Sequence, residues 1–282
     1  MEGQLLGRFR LLTEIARNDG ATLYEARDEV SGDPAGVVAF VTDAIKTQGD
    51  VKALMKRVQV LGKMDSPHVA KPLTAGMQDG TWFVATAGAP GMPIEQLSKN
   101  LGALTSHDAF TLGAQLFRAL SHLHPRGVIV QPLVPASVLL GEDGALKIWN
   151  VFGTRQGAGA KKTMAFSRMD FVGMTYAPPG AAVDRASNVY SAGMVLAHLL
   201  AGGPPVQPKG LPELLSFVQK PKFTFAEPLD PKLEAILLSA VIPNATRRPP
   251  ARMTYGQILG DADLKARQLE KNSRKIVAFL KS

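Results

Sequence analysis

The chain has no cysteine among its 282 residues, few aromatics at 6%, and no long uninterrupted apolar run. Without cysteine there is no disulfide framework, no thiolate metal site and no thiol nucleophile. The longest apolar stretches, Met194 to Leu200 and Leu233 to Ile242, are too short to cross roughly 30 Å of hydrocarbon. The opening MEGQLLGRFR carries no apolar signal core. These absences point to a cytoplasmic chain, or to the cytosolic domain of a larger membrane-linked protein. What is present is ordinary for a folded protein: 45% hydrophobic residues, and 32 Lys plus Arg against 24 Asp plus Glu for a net charge of +8. The basic residues are scattered, which favours solubility over nucleic-acid binding. The five histidines, His68, His107, His122, His124 and His198, do not cluster, so no metal is expected.

The two halves differ in pattern. Up to about residue 86 the chain shows short β-type runs at Phe9 to Leu12, Ala21 to Ala26, Gly36 to Val41 and Trp82 to Ala85, separated by turn signals such as SGDPAG and MQDG. Between the third and fourth runs, Val51, Leu54, Val58, Leu61 and Met64 recur at helical spacing. Ala87 to Pro93 is a Gly/Pro connector suited to a hinge. Beyond it the spacing predicts helices over Ser106 to His124, Ser191 to Ala201, Leu211 to Val218 and Leu233 to Ile242, with short strands at Val138 to Leu140 and Ala145 to Trp149. The expected architecture is α+β, with a small antiparallel-sheet lobe (1–86), a hinge (87–93), a larger helical lobe (94–260) and an amphipathic helical tail (261–282).

Several strings in this order resemble the bacterial eukaryotic-like (Hanks-type) Ser/Thr protein kinases. They are ATLYEARD from Ala21, MDSPHV from Met64, LSHLHPRGVIVQPLVPASVLL from Leu120, SNVYSAGMVL from Ser187 followed by LLAGGPP, and the segment from Asn244 to Pro249. The resemblance implies a two-lobed protein-kinase-like fold over nearly the whole chain. It also implies where the chemistry of such a domain would sit. The three glycine positions of a phosphate-cradling loop fall on Ala16, Asn18 and Ala21. The run Val38-Ala39-Phe40-Val41 places Val41 at the phosphate-gripping lysine and Ala39 over the base, with Phe40 turned away. The helix-borne carboxylate falls on Arg57, Lys46 is the nearest substitute lysine, and Ala85 takes the gatekeeper position.

In the catalytic loop the base position holds Pro132, the neutralising lysine is Val134 and the metal-binding amide is Ser137. The metal-binding carboxylate falls on Asn150, or on Val151 with a one-residue shift, the loop-anchoring aspartate falls on Asn188, and the acidic partner of Arg248 on Pro179. Val130, Val151 and Leu61 read as core packing, and His122 and His124 as capping or solvent-facing groups. Apolar groups cannot replace carboxylate and amide oxygens. The resemblance with these replacements leads to an expectation of a catalytically degenerate pseudokinase that is not an enzyme and holds no cofactor. Its function would be as a scaffold or allosteric regulator in bacterial signalling, with a degenerate nucleotide-binding sensor or an atypical transferase as alternatives. Thr163, Ser167, Thr154 and Thr175 are candidate phosphosites in a stretch that also holds Arg155, Lys161, Lys162 and Arg168. A forkhead-associated domain protein or an active Ser/Thr kinase is the partner this implies, by family analogy.

Overall fold

The computed structural model describes residues 1–281, apart from 42–43, 132, 154–172 and 181–182. Pro132, Thr154, Thr163 and Ser167 lie outside the described residues. The first lobe carries strands β1 (Leu5–Leu6), β2 (Phe9–Arg17), β3 (Ala21–Asp28), β4 (Pro34–Phe40), β5 (Pro72–Gln78) and β6 (Thr81–Ala87). They pair antiparallel in the order β1-β2-β3-β4-β6-β5. The Gln78 side chain links the two edges, accepting from the amide of Gly7 at 2.7 Å and donating to the carbonyl of Leu5 at 3.0 Å. The sheet therefore curls on itself and buries both faces. Phe9, Leu11, Tyr24, Val37, Ala39, Phe83 and Ala85 form a small core on one side. Leu23, Val38, Phe40 and Val84 join the main core on the other.

Helix α1 (Gln48–Gly62) sits between β4 and β5 in sequence, and a capping box sets its start. The Thr47 hydroxyl accepts from the amide of Asp50 at 3.1 Å, and the Asp50 carboxylate accepts from the amide of Thr47 at 2.9 Å. Leu54 and Leu61, seven residues apart, are fully buried and place one face of α1 in the main core.

The second lobe begins with β7 (Met92–Pro93) and α2 (Ile94–Leu101), followed by α3 (Ser106–Leu123), β8 (Val138–Leu140) and β9 (Leu146–Ile148). The strands order as β7-β8-β9, so the connector at 87–93 ends by pairing with the larger lobe. Then come α4 (Arg185–Ala201), α5 (Leu211–Gln219), α6 (Pro231–Ala240), α7 (Ala251–Asp261) and α8 (Leu269–Lys281). Buried on nearly every side, α3 is the axis against which α4, α7 and α8 pack. None of the described helices is long and apolar enough to cross a membrane.

Where α4 crosses α6 the backbones approach so closely that a Cβ on Gly193 would lie 2.7 Å from Val241 Cγ1 and 3.0 Å from the Cβ of Ala240. Overpacking of this kind costs about 1–3 kcal/mol. Gly193→Val is expected to lower the unfolding free energy by that amount, read as a lower urea midpoint at an unchanged slope of the transition. An unchanged midpoint would mean that the two helices can separate freely.

The tail docks on the large lobe. The side-chain amide of Gln115, fully buried in α3, donates to the Gly144 carbonyl at 3.1 Å and to Ser273 of α8 at 3.0 Å, and its oxygen accepts from the Leu146 amide at 2.9 Å. Gly144, at φ +79°, has no room for a side chain against the α8 backbone.

Candidate functional site

The cleft between the lobes is lined by Leu23 and Val38 from the sheet and by Thr86, Ala87, Gly88, Ala89 and Pro90 from the connector. Leu139, Lys147, Trp149 and Phe152 close it from the large lobe, with Ala70 at the side. It encloses about 10 Å³, room for a single water. Trp149 and Phe152 are almost wholly buried, and the Trp149 indole N–H donates to the carbonyl of Ala136 at 2.8 Å. Lys147 contributes the charged group of the lining and lies 3.6 Å from the Asp143 carboxylate.

The alternation of β4 and β6 corrects the expected register by one residue. Val38 lines the cleft, and Phe40, two residues on, is buried in the same core. Ala39 faces the other core and Val41 is 41% exposed beyond the strand end. The residue over the cleft is therefore Val38 rather than Ala39. The inward position two residues along, where the resemblance implies a lysine, is Phe40 rather than Val41. Likewise Ala85 faces away from the cleft, and Thr86 lines it. Lys46 is exposed ahead of α1.

Three of the implied positions take unexpected partners. At the β2–β3 turn the Asn18 side-chain oxygen accepts from the amides of Gly20 at 2.8 Å and Ala21 at 2.9 Å, so two N–H groups of this loop are turned onto the protein itself. Ala16 and Ala21 are buried beside it. Arg57, in place of a carboxylate, donates through Nη1 to the carbonyls of Val151 at 3.0 Å and Gly153 at 2.7 Å. Burial moves its pKa down. Ser137 turns its hydroxyl back on Val134, donating to that carbonyl at 2.7 Å and accepting from its amide at 2.9 Å. Asn150 is buried in a short 3₁₀ turn with Val151 and Phe152.

Asn188 replaces the aspartate that the resemblance implies, a change that reads in sequence as relaxation of the site. Its amide instead accepts from the Val130 N–H at 2.9 Å and donates to the Val130 carbonyl at 2.7 Å, so a neutral group keeps the loop anchored. His124, expected to cap or to face solvent, is buried with Nε2 3.4 Å from the same Asn188 oxygen. Val130, Val151 and Leu61 are core residues as expected. Thr175 is only 2% exposed, so phosphorylation there would require it to leave the core. No cluster of His, Asp and Glu able to hold a metal is found among the described residues.

The protein kinase domain family matches residues 11–260. A probable serine/threonine-protein kinase of Clostridium perfringens is 24% identical over 72% of this chain and 30% of its own length. The DNA damage-responsive serine/threonine-protein kinase of Deinococcus radiodurans is 28% identical over 71% of this chain and 31% of its own length. PrkC, a serine/threonine-protein kinase of Bacillus subtilis, is 21% identical over 71% and 31%. The chain thus spans about a third of the length of these relatives. These matches overturn the expectation that the chain is not an enzyme, because a protein kinase domain with relatives named as serine/threonine kinases points to a kinase enzyme. With its antiparallel-sheet lobe, its helical lobe and the cleft between them, the chain belongs to the protein kinase domain family.

Proposed function

We propose that this kinase-family domain works in bacterial serine/threonine-kinase signalling through protein contact, as a scaffold or allosteric regulator whose interlobe cleft is shut in its resting form. The observation that carries the reading is the filled cleft. About 10 Å³ between the lobes compares with about 300–1,000 Å³ for a ligand pocket. Two further features support it. The amides of Gly20 and Ala21 are held by Asn18 rather than aimed at a phosphate, and Phe40 replaces a cation on the inward face of β4.

The contact we propose is with a forkhead-associated domain protein or an active Ser/Thr kinase, through the stretch containing Thr154, Thr163 and Ser167. Phosphate on Thr163 would add about two negative charges beside Lys161, Lys162 and Arg168, and three acceptor oxygens for a reader to grip. Thr163→Ala is expected to abolish capture by a forkhead-associated domain after treatment with an active bacterial relative. Retained capture by a protein with alanine at Thr154, Thr163 and Ser167 would move the contact elsewhere.

A nucleotide-responsive sensor is the second reading, favoured by Lys147 and the connector backbone on the cleft wall. Thermal shift with millimolar ATP and Mg²⁺ decides between them. A ligand at a thousand times its Kd stabilises by about 4 kcal/mol, which for a domain of this size is a rise of roughly 10 °C in Tm. The regulator reading expects no rise, and a rise of that size replaces it with the sensor.

A further inference from the structure

The guanidinium of Arg57 crosses from α1 to grip the two carbonyls that flank Phe152 in the chain, those of Val151 and Gly153. These bonds span 94 and 96 residues of sequence and join the small lobe to the segment that ends the cleft wall. The side chain is half-buried, and it has given up hydration to make them. A carboxylate at this site would repel the same carbonyls, so the contact depends on the donors of the arginine. Between the gripped carbonyls, Phe152 is 1% exposed and lines the cleft together with Leu23, Val38 and Trp149.

From this geometry we infer that Arg57 is a positioning residue that latches the cleft shut: its two bonds fix the 150–153 turn to α1 and hold Phe152 and Trp149 in the space between the lobes. Movement of α1 away from the large lobe breaks both bonds together. It then frees Phe152 to swing and exposes Trp149. Any partner that displaces α1 therefore opens the cleft, and anything that fills the cleft must push α1 outward. The inference rests on the reading of the cleft as shut at rest.

Trp149 is a built-in reporter, since the chain has only two tryptophans and the other is Trp82. In a Trp82→Phe background the buried indole should emit in the blue and resist acrylamide. Arg57→Met keeps the apolar stem and removes the donors. It is expected to raise acrylamide quenching of Trp149 several-fold and to speed amide exchange over residues 146–153, while exchange in α3 stays as it was. Arg57→Lys, with one donor group able to reach a carbonyl, should restore part of the protection. Lys56→Met, an exposed charge loss on the same helix, should leave the signal unchanged. If quenching and local exchange in Arg57→Met match the parent, the latch is overturned, even where Tm falls. Exposure of Trp149 in the parent protein before any substitution would instead sink the shut cleft on which the proposed function rests.

Discussion

Acidification from pH 7 to pH 4.5 is expected to remove most of the stability of this domain, through three buried histidines. His68, His124 and His198 are each at most 6% exposed, and burial pushes each pKa down to about 4 from an ordinary 6.5. His68 Nδ1 is 3.0 Å from the Leu146 carbonyl, and the charges of Arg118 and His122 oppose its protonation while that of Asp143 favours it. The Glu270 carboxylate lies 3.9 Å from its Nε2 but is also engaged by Arg118 at 3.5 Å. His198 Nδ1 meets the Tyr176 hydroxyl at 2.7 Å inside the helical core, with Glu95 and Lys99 contributing opposing charges nearby. Its other nitrogen has no hydrogen-bond partner among the described residues, and a proton there would be buried bare.

Because the folded pKa values lie below the unfolded ones, the unfolded chain binds more protons between the two, and stability falls as pH drops through that window. It is fully present above pH 6.5 and is lost progressively toward pH 4. Each histidine can contribute up to roughly 3 kcal/mol, and all three together set a limiting slope of about 4 kcal/mol per pH unit. Against a typical domain stability of about 5–15 kcal/mol this is decisive. Urea midpoints at half-unit steps from pH 7.5 to 4.5 measure it. A slope worth less than one proton throughout would mean that these rings are open to water. His68→Gln should flatten one third of the slope, because the amide can keep the bond to Leu146 without a titrating group.

How far the fold was legible follows from where period and burial agreed. α3 and α4 carry more apolar positions than one face needs, their caps are polar, and their placement followed from spacing alone, although the Asp184 cap that starts α4 six residues before Ser191 was missed. Short β5, with Leu73 and Met77 exposed, shows little apolar alternation and was not seen. The one-residue slip at Val38–Val41 has a clear cause. In β4 six of seven residues are buried, because the curled sheet covers both faces, so no alternation marks which side meets the cleft. The same holds for Phe83 to Thr86 in β6.

Motif spacing slipped by one residue at Ala39, Val41 and Ala85, and it singled out Arg57, Ser137, Asn150 and Asn188 but not their partners. What they bond to depends on carbonyls dozens of residues away, as when Arg57 reaches Val151 and Asn188 reaches Val130. Asn18 is the exception. Asn-Asp-Gly is a turn signal in any sequence, and the side-chain bond back to the amides two and three residues on could have been anticipated from it.

The largest single-residue effect expected in the helical lobe is at Arg248, where the acidic partner implied by resemblance is replaced by Pro179. The guanidinium has found other partners. Nε donates to the carbonyl of Ile242 at 2.5 Å, Nη2 to Pro243 at 2.6 Å and Nη1 to Ala186 at 3.1 Å. Its carbon lies 5.0 Å from the centre of the buried Tyr190 ring, an attraction between cation and aromatic face. The planar fork thus closes the end of α6 onto the start of α4, and at 8% exposure it does so nearly out of water. Asp184 lends a favourable charge but is itself occupied in capping α4 through the Ser187 amide at 2.7 Å. Arg248→Ala would remove the guanidinium from three part-buried carbonyls and leave a cavity beside Tyr190, and an acceptor left unsatisfied away from water costs about 1–3 kcal/mol. With partial relaxation the expected loss is about 3–5 kcal/mol, or a fall of roughly 10 °C in Tm for a domain of this size. Arg248→Lys should recover less than half of it, since a point charge can neither stack on the ring nor serve carbonyls in three directions. A lysine variant as stable as the parent would show that charge alone, through Asp184, holds this corner, and that the fork is incidental.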